Sequence, residues 1–138
     1  MTLHLADTSA WHHSAHAAVS PSWSERLATD ALATCAQVRL EILFSARSAY
    51  DYDSIVDELA ALQQLPCGDR EFERALSVQR LLAHRGGLHH RSVKIADLII
   101  AASAESGGAT IWHYDEDFDR IADVTGQPTE WIATRGSL

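Results

Sequence analysis

Two cysteines, Cys35 and Cys67, are too few for a disulfide framework and have no partners at metal-ligand spacing. Free thiols in a reducing compartment are the reading that follows. Long hydrophobic runs are missing as well. The longest, IADLIIAASA, is too short to span a bilayer and carries Asp97 inside it. The opening MTLHLADTSAW has no basic stretch and reaches Asp7 almost at once, which argues against a signal peptide. A soluble, cytoplasmic protein with no membrane partner is the expectation. Positive charge is also scarce: 11 Lys and Arg face 19 Asp and Glu, a net charge of −8. That balance argues against holding nucleic acid by overall electrostatics. The few basic residues are clustered, however. Residues 70–94 carry Arg70, Arg74, Arg80, Arg85, Arg91 and Lys94 against Glu71 and Glu73, a local balance of +4, so the remainder carries −12. An acidic centre beside one basic segment permits local polyanion binding.

What is present suits one globular domain over residues 1–138: 46% hydrophobic and 22% charged residues, with no internal repeat, linker or low-complexity stretch. LHLA before Asp7 reads as a short buried strand, and TSAWHHSAH as a helical turn or two. Ser20 and Pro21 suit an N-cap and first helical position, opening a helix through about residue 33. QVRLEILFSAR and DYDSIVDELAALQQ have helical periodicity. LPC reads as a brief strand, after which Asp69 caps a helix running to Gly86-Gly87. KIADLIIAASAES is a strongly apolar helix ending at Gly107-Gly108; ATIWHY is a strand, DEDFDRIADV a helix and TEWIA a last strand. Strands alternating with helices predict an α/β fold, a parallel sheet of about four to five short strands covered on both faces.

In such a sheet, ligands collect at the carboxyl ends of the strands. Asp7 follows the first strand and Asp115 the ATIWHY strand, so both fall on that edge. Asp97 and Glu41 sit beside apolar helix faces, Asp97 among Val93, Lys94, Ile100 and Ala101, Glu41 between Val38 and Phe44. An unpaired buried carboxylate is costly and tends to become neutral. Each acid has an ordinary explanation. Asp7 caps the turn after it, Glu41 pairs with Arg47 or a distant arginine, Asp97 pairs with Lys94, and Asp115 and Asp117 are helix-start acids. A metal site accounts for all five at once, because converging carboxylates repel unless a cation holds them. Oxygen ligands without cysteine point to Mg²⁺ or Mn²⁺.

The succession DTSAW, RLEILFSA, KIADLIIAASA and HYDEDF, in that order and over nearly the whole chain, resembles the PIN-domain nucleases, and among them the VapC-type toxins of bacterial toxin–antitoxin pairs. The resemblance implies a PIN-like fold and metal-dependent endoribonuclease activity on RNA, with transfer RNA or another translation RNA as the target class. Asp7, Glu41, Asp97 and the Asp115/Asp117 pair would form the acidic catalytic set, with Asp7, Asp97 and Asp115 or Asp117 as metal ligands. Thr8 and Ser9 match the hydroxyl positions after the first acid. A VapB-type antitoxin and a homodimer are further implications of the resemblance alone.

Two other functions compete. A haloacid-dehalogenase-like phosphatase also uses an Asp after its first strand, but wants a second acid two residues on, where this chain has Ser9. A non-catalytic acidic binding module would not need Glu41 and Asp97 on apolar faces. AHRGGLHHRSVK, with Arg85, Arg91 and Lys94, is a candidate phosphate-contacting rim or simply a solvated basic loop. His12, His13 and His16 lack a fourth zinc ligand and read as surface residues. Trp11, Trp23, Trp112 and Trp131 suit the core better than base stacking.

Overall fold

A computed structural model describes residues 2–138. Five strands, β1 (His4–Ala6), β2 (Leu32–Thr34), β3 (Gln63–Gln64), β4 (Thr110–His113) and β5 (Thr129–Trp131), form one sheet in the order β3-β2-β1-β4-β5. Every pairing is parallel. The helices are α1 (Thr8–His12), α2 (Ser20–Ala28), α3 (Ala36–Phe44), α4 (Ala49–Ala60), α5 (Asp69–His84), α6 (Ile95–Ser106) and α7 (Asp117–Thr125), with a 3₁₀ turn at His89–Arg91. The chain steps outward from β1 to β2 and β3, then returns to β4 on the other side of β1. Right-handed crossovers in opposite directions place helices on opposite faces of the sheet. The carboxyl ends of β1 and β4 flank the point where the winding reverses, which is where such sheets open a crevice.

The central strands are short and buried except at Thr110, with Leu5, Ala6, Ala33 and Ile111 fully enclosed. This is the pattern of a parallel sheet covered on both faces. Helix α6 is buried without a break from Asp97 to Ala104, which explains why its sequence is apolar all round rather than striped. Helix α7 presents Phe118 and Ile121 to the core. It stops at Gly126, whose φ of 70° allows its N–H to close back on the Ala122 carbonyl. Trp112 is buried and stacks on Trp23, whose ring Trp11 meets edge-on, while Trp131 packs against Tyr114.

Three expectations need correction. The helix expected through residue 33 ends at Ala28, and Leu32–Thr34 is the buried strand β2. Asp30, at φ 56°, breaks the helix between them, and a short apolar run cannot be told from a helical continuation by its pattern. The strand expected at LPC lies two residues earlier, at Gln63–Gln64. Both glutamines are exposed on the sheet edge, and Pro66 has no N–H to extend the pairing. Ser20 and Asp69 are first helical residues and not caps; Val19 and Gly68 occupy the cap positions. At the second of these, Glu71 Oε1 accepts the Gly68 N–H at 2.8 Å. Among the described residues no helix is long and apolar enough to cross a membrane.

Candidate metal centre

The carboxyl end of β1 delivers Asp7 into the crevice as the cap of α1. Its Oδ1 accepts the Ala10 N–H at 2.9 Å, and the Ser9 hydroxyl donates to Oδ1 and Oδ2 at 2.7 and 2.9 Å. Ser9 Oγ in turn accepts the Tyr114 N–H at 2.9 Å, which ties the first turn of α1 to the loop after β4. Asp7 is 2% exposed. Burial pushes its carboxyl up to about 6, against the lowering effect of the Ser9 and Ala10 hydrogen bonds. The neighbouring Thr8 hydroxyl donates to Glu41 Oε2 at 2.7 Å, linking α1 to half-buried Glu41 on α3.

The chain brings three acids closest together. One oxygen each from Asp97, Asp115 and Asp117 lies within 4.8 Å of the others. Asp97 comes from the first turn of α6, Asp115 from the loop after β4 and Asp117 from the start of α7. The Asp117 N–H donates to Asp115 Oδ1 at 3.0 Å, which folds the HYDED segment back on itself. Asp97 and Asp117 are each 4% exposed. Burial drives the Asp97 carboxyl up to about 8, helped by Asp117, Asp115 and Asp7 and opposed by Lys94. Asp117 goes the other way. Burial would raise it, but the Lys94 backbone N–H and ammonium outweigh that and hold it below its ordinary value. The two acids therefore share a pocket with their proton affinities pushed apart.

Lys94 is the centre of this arrangement. Its Nζ lies 2.7 Å from Asp115 Oδ2, 2.9 Å from Asp117 Oδ2 and 3.4 Å from Asp97 Oδ2. The last approach is an ion pair without a hydrogen bond, so Asp97 Oδ2 remains buried with no hydrogen-bond partner. Arg120 Nη1 adds a second cation, donating to Asp117 Oδ1 at 3.0 Å. A pocket that draws in an ammonium and still leaves a buried carboxylate oxygen unsatisfied suits a cation with more coordination than one ammonium supplies. Hard oxygen donors alone, with no histidine in the group, fit a hard divalent ion.

Asp97, Asp115 and Asp117 thus meet directly; Asp7 and Glu41 stand around them, outside the 4.8 Å group. Thr8 and Ser9 act on the acids beside them, orienting Glu41 and Asp7. Lys94, expected either as the partner of Asp97 or with Arg85 and Arg91 on a basic rim, does pair with Asp97, and its ammonium also reaches Asp115 and Asp117. Arg85 donates to the Asp123 carbonyl at 3.0 Å beside α7, and Arg91 is exposed in the 3₁₀ turn. His12 and His16 are exposed, and His13 packs edge-on against Tyr114. Two supporting residues escaped the sequence reading. Arg120 was findable, since it follows Asp117 by three positions and Glu116 by four, the spacing of helix neighbours. His113 was not. Its fully buried imidazole accepts the Asp115 N–H through Nδ1 at 3.1 Å, and burial lowers its pKa to about 4. It is held neutral behind the acids.

The chain matches the PIN domain family over residues 5–124. It is 59% identical over 132 residues to ribonuclease VapC18 of Mycobacterium tuberculosis, covering 96% of each chain. Its fold is similar to a chain in the crystal structure of DNA-bound VapBC from Salmonella typhimurium, with a TM-score of 0.76 and 16% identity over 96% of this chain and 100% of that one. A chain of VapBC-5 from Mycobacterium tuberculosis is similar at a TM-score of 0.63 and 25% identity, covering 97% of this chain and 100% of that one.

Proposed function

This chain belongs to the PIN-domain family, among the VapC ribonucleases, and on that premise we propose that it is a metal-dependent endoribonuclease acting as the toxin of a VapBC-type pair. The observation that carries the metal dependence is the convergence of Asp97, Asp115 and Asp117 on one point, with a buried Asp97 oxygen left unpartnered. Asp97, Asp115 and Asp117 would hold Mg²⁺ or Mn²⁺, with Asp7 on the facing side of the crevice. A divalent ion there supplies Lewis acidity toward a phosphate oxygen and lowers the pKa of an attacking water.

The chain's own groups do the positioning. Ser9 and the Ala10 amide hold the Asp7 carboxyl in one orientation across the crevice. Thr8 does the same for Glu41. His113 and the Asp117 amide fix both ends of the Asp115 residue, its N–H and its Oδ1. Water attack needs no covalent nucleophile, and the hydroxyls present are engaged with carboxylates. Arg85 and Arg91 supply phosphate contacts that offset the acidic centre, with Lys94 beside them once it leaves the acids. Single-stranded loops of transfer RNA or another translation RNA are the target class, since unpaired nucleotides can be splayed out toward a protein site. A VapB-type antitoxin is the partner.

The test is cleavage of an RNA panel with Mg²⁺, with Mn²⁺ and with chelator, alongside Asp97→Asn and Asp117→Asn. Cleavage only with metal, lost in both variants, supports the reading. Undiminished cleavage in chelator would sink it.

A further inference from the structure

We propose that Lys94 is a built-in, exchangeable counter-ion: its ammonium holds the three acids together before metal arrives, and a divalent ion binds only as that side chain swings out. This rests on the metal reading above and adds a competitor from within the chain. The geometry makes the two cations mutually exclusive. Nζ lies 2.7, 2.9 and 3.4 Å from one oxygen each of Asp115, Asp117 and Asp97, the residues whose oxygens converge within 4.8 Å. Magnesium–oxygen bonds of about 2.1 Å would put the ion in the space the ammonium fills.

Three features suit Lys94 to leaving. Its side chain is 63% exposed, so it can turn into solvent without opening the core. Its backbone has a bond of its own, the N–H donating at 2.9 Å to Asp117 Oδ2, the oxygen that also takes the ammonium, so the start of α6 stays tied to α7 when the side chain turns away. It also fills the pocket incompletely, since Asp97 Oδ2 receives no hydrogen bond. Arg120, on the far oxygen of Asp117, does not share this role. It is tied to Glu116 at 2.7 Å as well and touches one of the three acids only. A flexible point charge at the centre and a forked, doubly tethered guanidinium at the side is a division that lysine and arginine chemistry favours.

Lys94 is the sole lysine of the chain, so a lysine label reports on it alone. With ¹³C-lysine in the full-length protein, Mg²⁺ should move the Lys94 Cε signal to a solvent-exposed position. That movement should follow the same saturation curve as the backbone amides of Asp115 and Asp117. Lys94→Met should bind Mg²⁺ roughly tenfold tighter, as expected if the swung-out state is about a tenth of the metal-free population. Without metal it should melt at a lower temperature than wild type. Amides that titrate while the lysine signal stays fixed, or an unchanged Mg²⁺ affinity in Lys94→Met, would overturn the proposal. Should Lys94→Met fail to fold, Lys94→Gln serves for the affinity, and the wild-type titration stands without either. If neither the amides nor the lysine respond, and Asp97→Asn behaves as wild type does, the metal reading itself fails. That outcome is distinct from a metal that binds beside an unmoved lysine.

Discussion

Replacing Asp97 by asparagine should abolish cleavage and yet stabilise the metal-free protein. The carboxyl rises from 3.8 to about 8, chiefly because burial disfavours its charged form. Between those values the folded chain keeps a proton that the unfolded chain has released. Stability therefore falls as pH rises through that window, and the deficit is complete above about pH 8. At pH 7, about three units above the unfolded value, the ceiling on this deficit is about 4 kcal/mol. Asparagine carries no charge to desolvate, and its amide keeps a donor beside Asp117. It loses the attraction to Lys94, so a gain of about 2–3 kcal/mol at pH 7 is expected. Asp7→Asn should gain less, over the narrower window from 3.8 to about 6. Asp117→Asn should have the opposite sign. That acid is depressed by its bonds to Lys94, so its stabilisation is present above its unfolded value and is lost as pH falls through the folded one. Urea unfolding in chelator at pH 4.5, 6 and 7.5 measures all three. If wild-type stability stays flat from pH 5 to 8, or Asp97→Asn is weaker than wild type at every pH, the burial argument is refuted.

Hydrolysis by an activated water should leave a 5′ phosphate and a 3′ hydroxyl, read by mass spectrometry of the fragments; a 2′,3′-cyclic phosphate would mean that the ribose hydroxyl attacked. Ser9→Ala removes the hydroxyl that joins Asp7 to the Tyr114 N–H and should cost about 1–2 kcal/mol in urea unfolding, a prediction that fails if stability is unchanged. Arg85→Ala with Arg91→Ala should weaken RNA binding and reduce the slope of log affinity against log salt by about 1–2; an unchanged slope returns that segment to a solvated loop. An antitoxin arginine reaching toward Asp7, Asp97 and Asp115 can bridge two carboxylates through its fork. Changing it to alanine should restore nuclease activity more than it loosens the complex, and loss of binding without restored activity would contradict this.

How far the sequence carries depends on what kind of contact is being read. The acids were visible because each departs from the pattern around it: Asp97 interrupts an apolar helix, and Asp7 and Asp115 close apolar strands at the same edge of a parallel sheet. The edge strand β3 was expected two residues too late, at LPC, because two exposed glutamines carry no alternation that would set its bounds. β2 was absorbed into a helix since its three buried residues are too short to have a period. At the site, proximity in sequence was informative and misleading at once. Lys94 stands three residues before Asp97, which does suggest a pair, but it also ends a basic run, which suggests a surface rim. The deciding contacts come from Asp115 and Asp117, 21 and 23 residues away, and from the return of β4 beside β1. A one-dimensional charge pattern assigns Lys94 to its sequence neighbours. The crossover assigns it to the acids, and only there does an ordinary surface lysine become the cation that any incoming metal has to displace.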